Sequence, residues 1–352
     1  MRQILIVGPS WVGDMVMAQS LFRCLRAKDP AVQIDVLAPE WCRALLDVMP
    51  EVRAALPLPI GHGEFGLGKR WRIAQELRAT GYDQAIVLPN SFKSALIPRF
   101  AGIPLRTGWR GEARGWLLND CRVLDKERYP LMVQRFAALA YPAGEPLPPT
   151  LPWPRLRHDE EKAQLLCDKF ALPRDLRTLV LCPGAEFGPA KQWPEVHYAK
   201  VAEHYLARGW QVWLLGSQKD STVAERITAQ VPEKLRNDLR NLCGRTSLSD
   251  AVLLLGRADA VVSNDSGLMH VAAALERPLV VVYGSTSPGF TPPLAERVAT
   301  LSLALSCSPC FKRECPLQHL NCLRQLEPER VLAALERLVD VPATSAAAPQ
   351  AG

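Results

Sequence analysis

No apolar run in the chain approaches the roughly 18–20 consecutive residues that a bilayer-spanning helix needs, which excludes such a helix. The first strand–helix turn lacks G-x-G-x-x-G, and the Gly- and Pro-rich loop after residue 181 does not meet G-x-x-x-x-G-K-[ST]. The turn is therefore no evidence for NAD or FAD, and the loop is not a Walker A site. Internal repeats and solenoid periods are missing as well. Net charge is only +6, and no nucleic-acid partner is predicted. The opening run Met1-Arg2-Gln3-Ile4-Leu5-Ile6-Val7-Gly8 carries no signal-peptide cleavage pattern. The ten cysteines are thus expected as thiols or ligands in a reducing compartment, the cytoplasm.

What is present describes a globular chain of two domains. Its 352 residues exceed one ordinary core, and 48% hydrophobic with 22% charged residues is a soluble balance. Strand and helix signals alternate from the start: a buried strand at 4–7, a helix at 15–25, strands at 33–37, 52–56 and 84–88, helices near 41–48 and 69–79, and a further helix after Asn90. This is the pattern of a doubly wound parallel sheet. In such sheets chemistry gathers at the carboxyl ends of strands. The first of these ends offers Gly8-Pro9-Ser10-Trp11-Val12-Gly13-Asp14, in which Asp14 is either a general base or a helix N-cap. The fourth offers Asn90, Ser91 and Lys93, with Arg106 and Arg110 close behind. Residues 90–122 hold six basic side chains against two acidic ones. The cluster either holds a phosphorylated or carboxylated acceptor or forms a solvated charged face.

Residues 141–154 contain six prolines in fourteen positions and read as an interdomain linker, giving domains 1–150 and 151–340 with a disordered tail at 341–352. Beyond the linker a strand at 178–181 leads into Cys182-Pro183-Gly184-Ala185-Glu186-Phe187-Gly188-Pro189-Ala190-Lys191, an anion-site candidate ahead of a helix at 194–208. A strand at 211–215 then delivers Ser217 and Asp220, the latter a ligand for ribose or a cap. Residues 261–275, VVSNDSGLMHVAAAL, read as strand, tight turn and helix, followed by a strand at 279–282. Asp265, Ser266 and the N–H groups around Gly267 lie at that helix N-terminus, able either to hold a diphosphate or simply to cap the helix.

Taken together, GPSWVGDMVMAQSL, VLPNSFKSAL, RTGWRGE, CPGAEFGPAKQWP and NDSGLMHVAAAL, in this order, closely resemble the bacterial ADP-heptose:lipopolysaccharide heptosyltransferases, the second enzyme of that family in particular. The match spans roughly residues 1–300. The resemblance implies an α/β GT-B architecture, two Rossmann-like domains facing across a cleft, with acceptor in the N-terminal and donor in the C-terminal half. It implies Asp14 as catalytic base, Lys191 as the lysine stabilising the donor phosphates, and Asp265, Ser266, Gly267 and His270 in the donor turn. Gly184, Glu186, Ser217 and Asp220 join the donor set; Asn90, Ser91, Lys93, Arg106 and Arg110 form the acceptor set. Glu186 and Phe187 stand where the first heptosyltransferase has neighbouring threonines, which favours the second enzyme. The implied partners are ADP-heptose as donor and a lipid A-linked inner-core oligosaccharide as acceptor, with peripheral contact at the inner membrane and no required cofactor.

One motif lies outside that reading. Cys307-x2-Cys310-x4-Cys315-x6-Cys322, with His319 inside it, is a candidate structural zinc site, though it lacks the second C-x2-C pair of a zinc ribbon. A last helix at 328–339 is expected to pack back across the domains. Competing expectations are a family member acting at another core position, a sugar-nucleotide epimerase of the same architecture, and a catalytically silent nucleotide-binding scaffold.

Overall fold

The computed structural model describes residues 1–61 and 63–340. The first half runs β1 (Gln3–Val7), α1 (Val12–Lys28), β2 (Gln33–Ala38), α2 (Glu40–Leu46), β3 (Val52–Pro57), α3 (Leu67–Arg78), β4 (Gln84–Val87), α4 (Leu96–Phe100), β5 (Leu105–Trp109), β6 (Asp120–Arg122) and α5 (Met132–Ala137). The second runs α6 (Glu160–Lys169), β7 (Thr178–Cys182), α7 (Glu195–Leu206), β8 (Gln211–Leu214), α8 (Ser221–Gln230), β9 (Leu239–Asn241), α9 (Leu248–Gly256), β10 (Ala260–Asn264), α10 (Gly267–Ala274), β11 (Leu279–Val282), β12 (Val298–Leu301), α11 (Asn321–Arg324) and α12 (Pro328–Val339).

The strands form two sheets, ordered β3-β2-β1-β4-β5-β6 and β12-β11-β10-β7-β8-β9, and every pairing is parallel. Both are Rossmann-like, and together they make the α/β GT-B fold. The central strands are runs such as Leu279-Val280-Val281-Val282, buried on both faces as parallel sheets between helices require. Strand order reverses between β1 and β4 in one sheet and between β7 and β10 in the other. A crevice opens at such a reversal, outside the carboxyl ends of the two strands. Topology alone therefore sets the Asp14 turn beside the Asn90 loop, and the Lys191 loop beside the Asp265 turn.

One apolar cluster runs through both halves, joining Ile4, Met15 and Phe22 to Val180, Leu254, Val261 and Met269. Residues 141–154 form neither helix nor strand, as their prolines demand. The chain leaving them is tied to α1 by buried Gln19, whose Oε1 accepts from the Arg155 N–H at 2.8 Å and whose Nε2 donates to the Arg155 carbonyl at 2.7 Å. Capping fixes other starts: the Ser247 hydroxyl accepts from the Asp250 N–H at 3.1 Å and Asp250 returns the contact to the Ser247 N–H at 3.0 Å, opening α9.

Two expectations change. The helix after Asn90 begins as a 3-10 turn, Phe92–Ala95, before α4. The helix α12 has its expected bounds but does not serve as a strap across both halves: its buried Val331, Ala334 and Leu335 belong to the apolar cluster of the second sheet, with Leu179 and Val280. The proposed tail, 341–352, lies outside the described residues. Among those described, no helix is long and apolar enough to cross a membrane.

Candidate active site

Asp14 stands in the first turn of α1, directly after the loop that leaves β1. It is not a cap: Trp11 occupies the N-cap position and no side chain caps the helix. Its carboxyl is pushed up to about 6 by burial, with the nearby Lys191 charge pulling the other way. A carboxylate so tuned is ionised at neutral pH yet more basic than an ordinary aspartate, the property a general base needs. That Lys191 is felt at Asp14 brings the two halves of the chemistry into one field.

The other half is assembled at the β7/β10 reversal. Lys191 ends the 3-10 turn Pro189–Lys191, and its Nζ donates to Asp265 Oδ2 at 2.6 Å. The same oxygen accepts from Thr286 Oγ1 at 2.6 Å. Behind this trio Asn264, fully buried, ties the two loops together. Its Oδ1 accepts from the Trp193 N–H at 3.0 Å and from Tyr198 Oη at 3.0 Å, while its Nδ2 donates to the Pro183 carbonyl at 2.7 Å and to the Gly184 carbonyl at 3.4 Å. With every lone pair and proton of the amide engaged, the Lys191 loop has one position relative to the Asp265 turn.

Neither cap reading of that turn survives. Asp265 is spent on Lys191 and Thr286, and the Ser266 hydroxyl lies 3.1 Å from Ser263 Oγ; no side chain caps α10. The first N–H groups of α10, around Gly267, have no side-chain cap, and a helix N-terminus favours an anion.

The two halves touch at glycines. A Cβ on Gly13 would fall 2.7 Å from His270 Cδ2, and one on Gly267 would fall 2.8 Å from Val12 Cβ. The turn carrying Asp14 thus lies directly against the turn carrying the α10 N-terminus, at a separation only glycine permits. His270 is buried beneath this contact, and burial drives its imidazole down to about 4, so it is neutral at physiological pH.

The remaining site candidates divide. Gly184 is where the Asp220 carboxylate approaches the backbone: a Cβ there would lie 2.5 Å from Asp220 Cγ. Asp220 accepts from the Ser217 N–H and from Ser217 Oγ, both at 2.8 Å, and so closes the turn before α8. Exposed Glu186 pairs with Lys219. In the acceptor set, exposed Asn90 uses Oδ1 to accept from Arg114 Nη2 at 3.0 Å, Lys93 Nζ donates to the Glu64 carbonyl at 3.2 Å, and Ser91 lends its carbonyl to Ser94. Arg110, in the loop after β5, is exposed. Arg106 is not brought to this edge: it lies near the amino end of β5, and its guanidinium donates to the carbonyls of Leu117 and Ile103. Arg114, in the same basic run, is fully buried and ties Pro89, Asn90 and Trp109 together.

The zinc expectation is not met. Cys307, Cys310, Cys315, Cys322 and His319 line one hollow of about 20 Å³, but among the described residues no three His, Cys, Asp or Glu side chains form a group that could hold a metal ion. Backbone N–H groups, that of Leu320 foremost, draw the Cys315 thiol below its ordinary value, whereas burial pushes Cys322 up. Sequence reasoning also missed Asn264, Thr286 and Gly13 as determinants of the site. Asn264 lay inside the quoted donor motif; Thr286 had no signal, since only strand order brings the end of β11 to Asp265.

A sequence profile of Glycosyltransferase family 9 (heptosyltransferase) matches residues 70–321. The chain is 50% identical over 342 residues to lipopolysaccharide heptosyltransferase 2 of Salmonella typhimurium, covering 96% of this chain and 98% of that one. It is also 50% identical to lipooligosaccharide heptosyltransferase 2 of Haemophilus influenzae, over 85% and 88% of the two chains. The solved structure of Escherichia coli ADP-heptose lps heptosyltransferase II superimposes with a TM-score of 0.88 at 48% identity, over 96% of this chain and 98% of that chain. A buried, tuned carboxylate set against an uncapped helix N-terminus therefore sits in a chain that belongs to glycosyltransferase family 9, the heptosyltransferases, and serves lipopolysaccharide core biosynthesis.

Proposed function

We propose that the enzyme moves L-glycero-D-manno-heptose from ADP-heptose onto the first heptose of the lipopolysaccharide inner core by one inverting displacement. Asp14 takes the proton of the acceptor hydroxyl as that oxygen bonds to the anomeric carbon. The bond from this carbon to the diphosphate breaks on the opposite face, and ADP leaves with the electron pair. Lys191 and the uncapped N–H groups of α10 meet the charge that develops on the leaving diphosphate. General-base help of this kind contributes about 10²- to 10⁴-fold, and preorganised donors at developing charge are often worth more.

The observation that carries this reading is the placement of the Asp14 turn, with the Asp14 carboxyl raised to about 6, against the turn that carries the α10 N-terminus, to which Lys191 is joined through Asp265. In this reading residues 1–150 hold the acceptor, through Ser91, Lys93, Asn90 and Arg110, and residues 151–340 hold the donor, with His270 beside it. The lipid anchor of the acceptor places the working enzyme at the cytoplasmic face of the inner membrane; exposed Trp11, Trp41 and Trp116 in the acceptor half support such contact. Incubation with ADP-heptose and a defined core oligosaccharide ending in one heptose, followed by mass and linkage analysis, tests the assignment. A product linked elsewhere in the core points to another member of the family.

A further inference from the structure

At the proposed donor site two lysines are already paired. Lys191 is matched by Asp265, and Lys219 by Glu186. A diphosphate arriving beside Lys191 therefore meets a carboxylate as well as an ammonium, and that pair is close to neutral as a whole. Arg313 makes no ion pair among the described residues and is exposed. Its guanidinium carbon lies 5.4 Å from the centre of the Phe187 ring, and Lys191 Nζ lies 4.9 Å from the centre of the same ring. One aromatic side chain in the loop after β7 thus carries both cations.

The placement of Arg313 is built into the backbone. The Ala190 N–H donates to the Arg313 carbonyl at 3.0 Å, the Phe311 N–H donates to the Ser285 carbonyl at 2.7 Å, and the Ser285 N–H returns to the Ala190 carbonyl at 3.2 Å. Gly188 makes the approach possible, since a Cβ there would lie 2.6 Å from the Arg313 carbonyl oxygen. The segment between Cys310 and Cys315, which the zinc expectation left without a role, is therefore stitched to the loop that carries Lys191 and to the end of β11 beside Thr286.

We propose that Arg313 is a second cationic clamp on the donor diphosphate, delivered by the cysteine-rich loop and held by Phe187 beside Lys191. A guanidinium resting on an aromatic face keeps its N–H edge free for bidentate phosphate contact, and the charge it offers grows in value as the diphosphate gains negative charge on leaving. The inference rests on the donor site proposed above.

Calorimetric titration of the wild-type enzyme, Arg313→Ala and Arg313→Lys with ADP and with adenosine tests it. The expected result is an ADP affinity at least tenfold weaker in Arg313→Ala, partly restored in Arg313→Lys, with adenosine affinity unchanged in both. An ADP affinity within twofold of wild type in Arg313→Ala overturns the proposal. So does an equal loss for ADP and adenosine, which marks a purely structural loop. Failure of the wild-type enzyme to bind ADP overturns the donor-site reading itself and the inference with it.

Discussion

Lys191 Nζ stands 2.6 Å from Asp265 Oδ2, with the lysine side chain 14% and the aspartate side chain 5% exposed. The pair joins the loops at the ends of β7 and β10. Removing one member of a buried pair leaves the other charge uncompensated, typically at about 3–5 kcal/mol. Lys191→Ala is expected to lower the thermal midpoint and to lose most turnover. Lys191→Ala with Asp265→Ala is expected to recover part of the midpoint and none of the turnover. Calorimetry beside a transfer assay checks this; a double variant that regains activity contradicts a direct role for the lysine.

The Asp14 carboxyl is expected to set the acid limb of activity. With its folded-state value raised to about 6 from 3.8, the base is protonated below that point, and kcat/KM is expected to fall about tenfold per pH unit on the acid side of 6. The stability sign runs the other way. The folded enzyme holds this proton more tightly than the unfolded chain, so the stabilisation is complete below about 3.8 and is lost as pH rises through about 6. Asp14→Asn should therefore raise the thermal midpoint at pH 8 relative to wild type, and the gain should vanish near pH 4. An acid limb that persists unchanged in Asp14→Asn assigns it to another group.

His270, driven down to about 4, is expected to stay neutral throughout the active range. Its imidazole resonances should not titrate above pH 5 in a proton–nitrogen NMR series. Movement of those resonances near pH 6.5 places the ring in solvent instead.

Gly13→Ala puts a methyl group 2.7 Å from His270 Cδ2. Overpacking of this kind costs about 1–3 kcal/mol. The expected outcome is a modest fall in thermal midpoint with a disproportionate fall in kcat, because α1 and α10 are pushed apart where the Asp14 turn meets the Asp265 turn. Equal kcat in a soluble Gly13→Ala variant removes the requirement for close approach.

Asn264→Leu strands the Trp193 N–H in a buried setting, at about 1–3 kcal/mol, and leaves the Tyr198 hydroxyl only the Cys182 carbonyl at 3.3 Å. Loosening of the Lys191 loop should raise KM for ADP-heptose, a shift that steady-state kinetics on the folded variant will show.

The elements buried on both faces were legible in the sequence. Runs such as Val261-Val262 and Leu279–Val282 are apolar because parallel strands have no solvent face, and their ends mark the turns where Asp14, Lys191 and Asp265 stand. The strands β5, β6, β9 and β12 were not legible: Asp120-Cys121-Arg122 and Leu239-Arg240-Asn241 are short and partly polar, with too little pattern to separate them from loops. Missing β5 is what made Arg106 a site candidate, since its position near the amino end of that strand is invisible without the strand. Periodicity also carries no strand order. The meeting of Lys191 with Asp265, 74 residues apart, follows from β7 lying beside β10, and Thr286 and Arg313 reach the site for the same kind of reason.

Heptose transfer by Asp14→Asn tests whether Asp14 is the base. The variant, shown folded by calorimetry and able to bind ADP as wild type does, is presented with ADP-heptose and a core oligosaccharide ending in one heptose, and single-turnover product is quantified by mass. Wild type is expected to add one heptose with inverted anomeric configuration, and the variant to be slower by at least about 10²-fold. Turnover of the folded variant near the wild-type rate contradicts that role for Asp14.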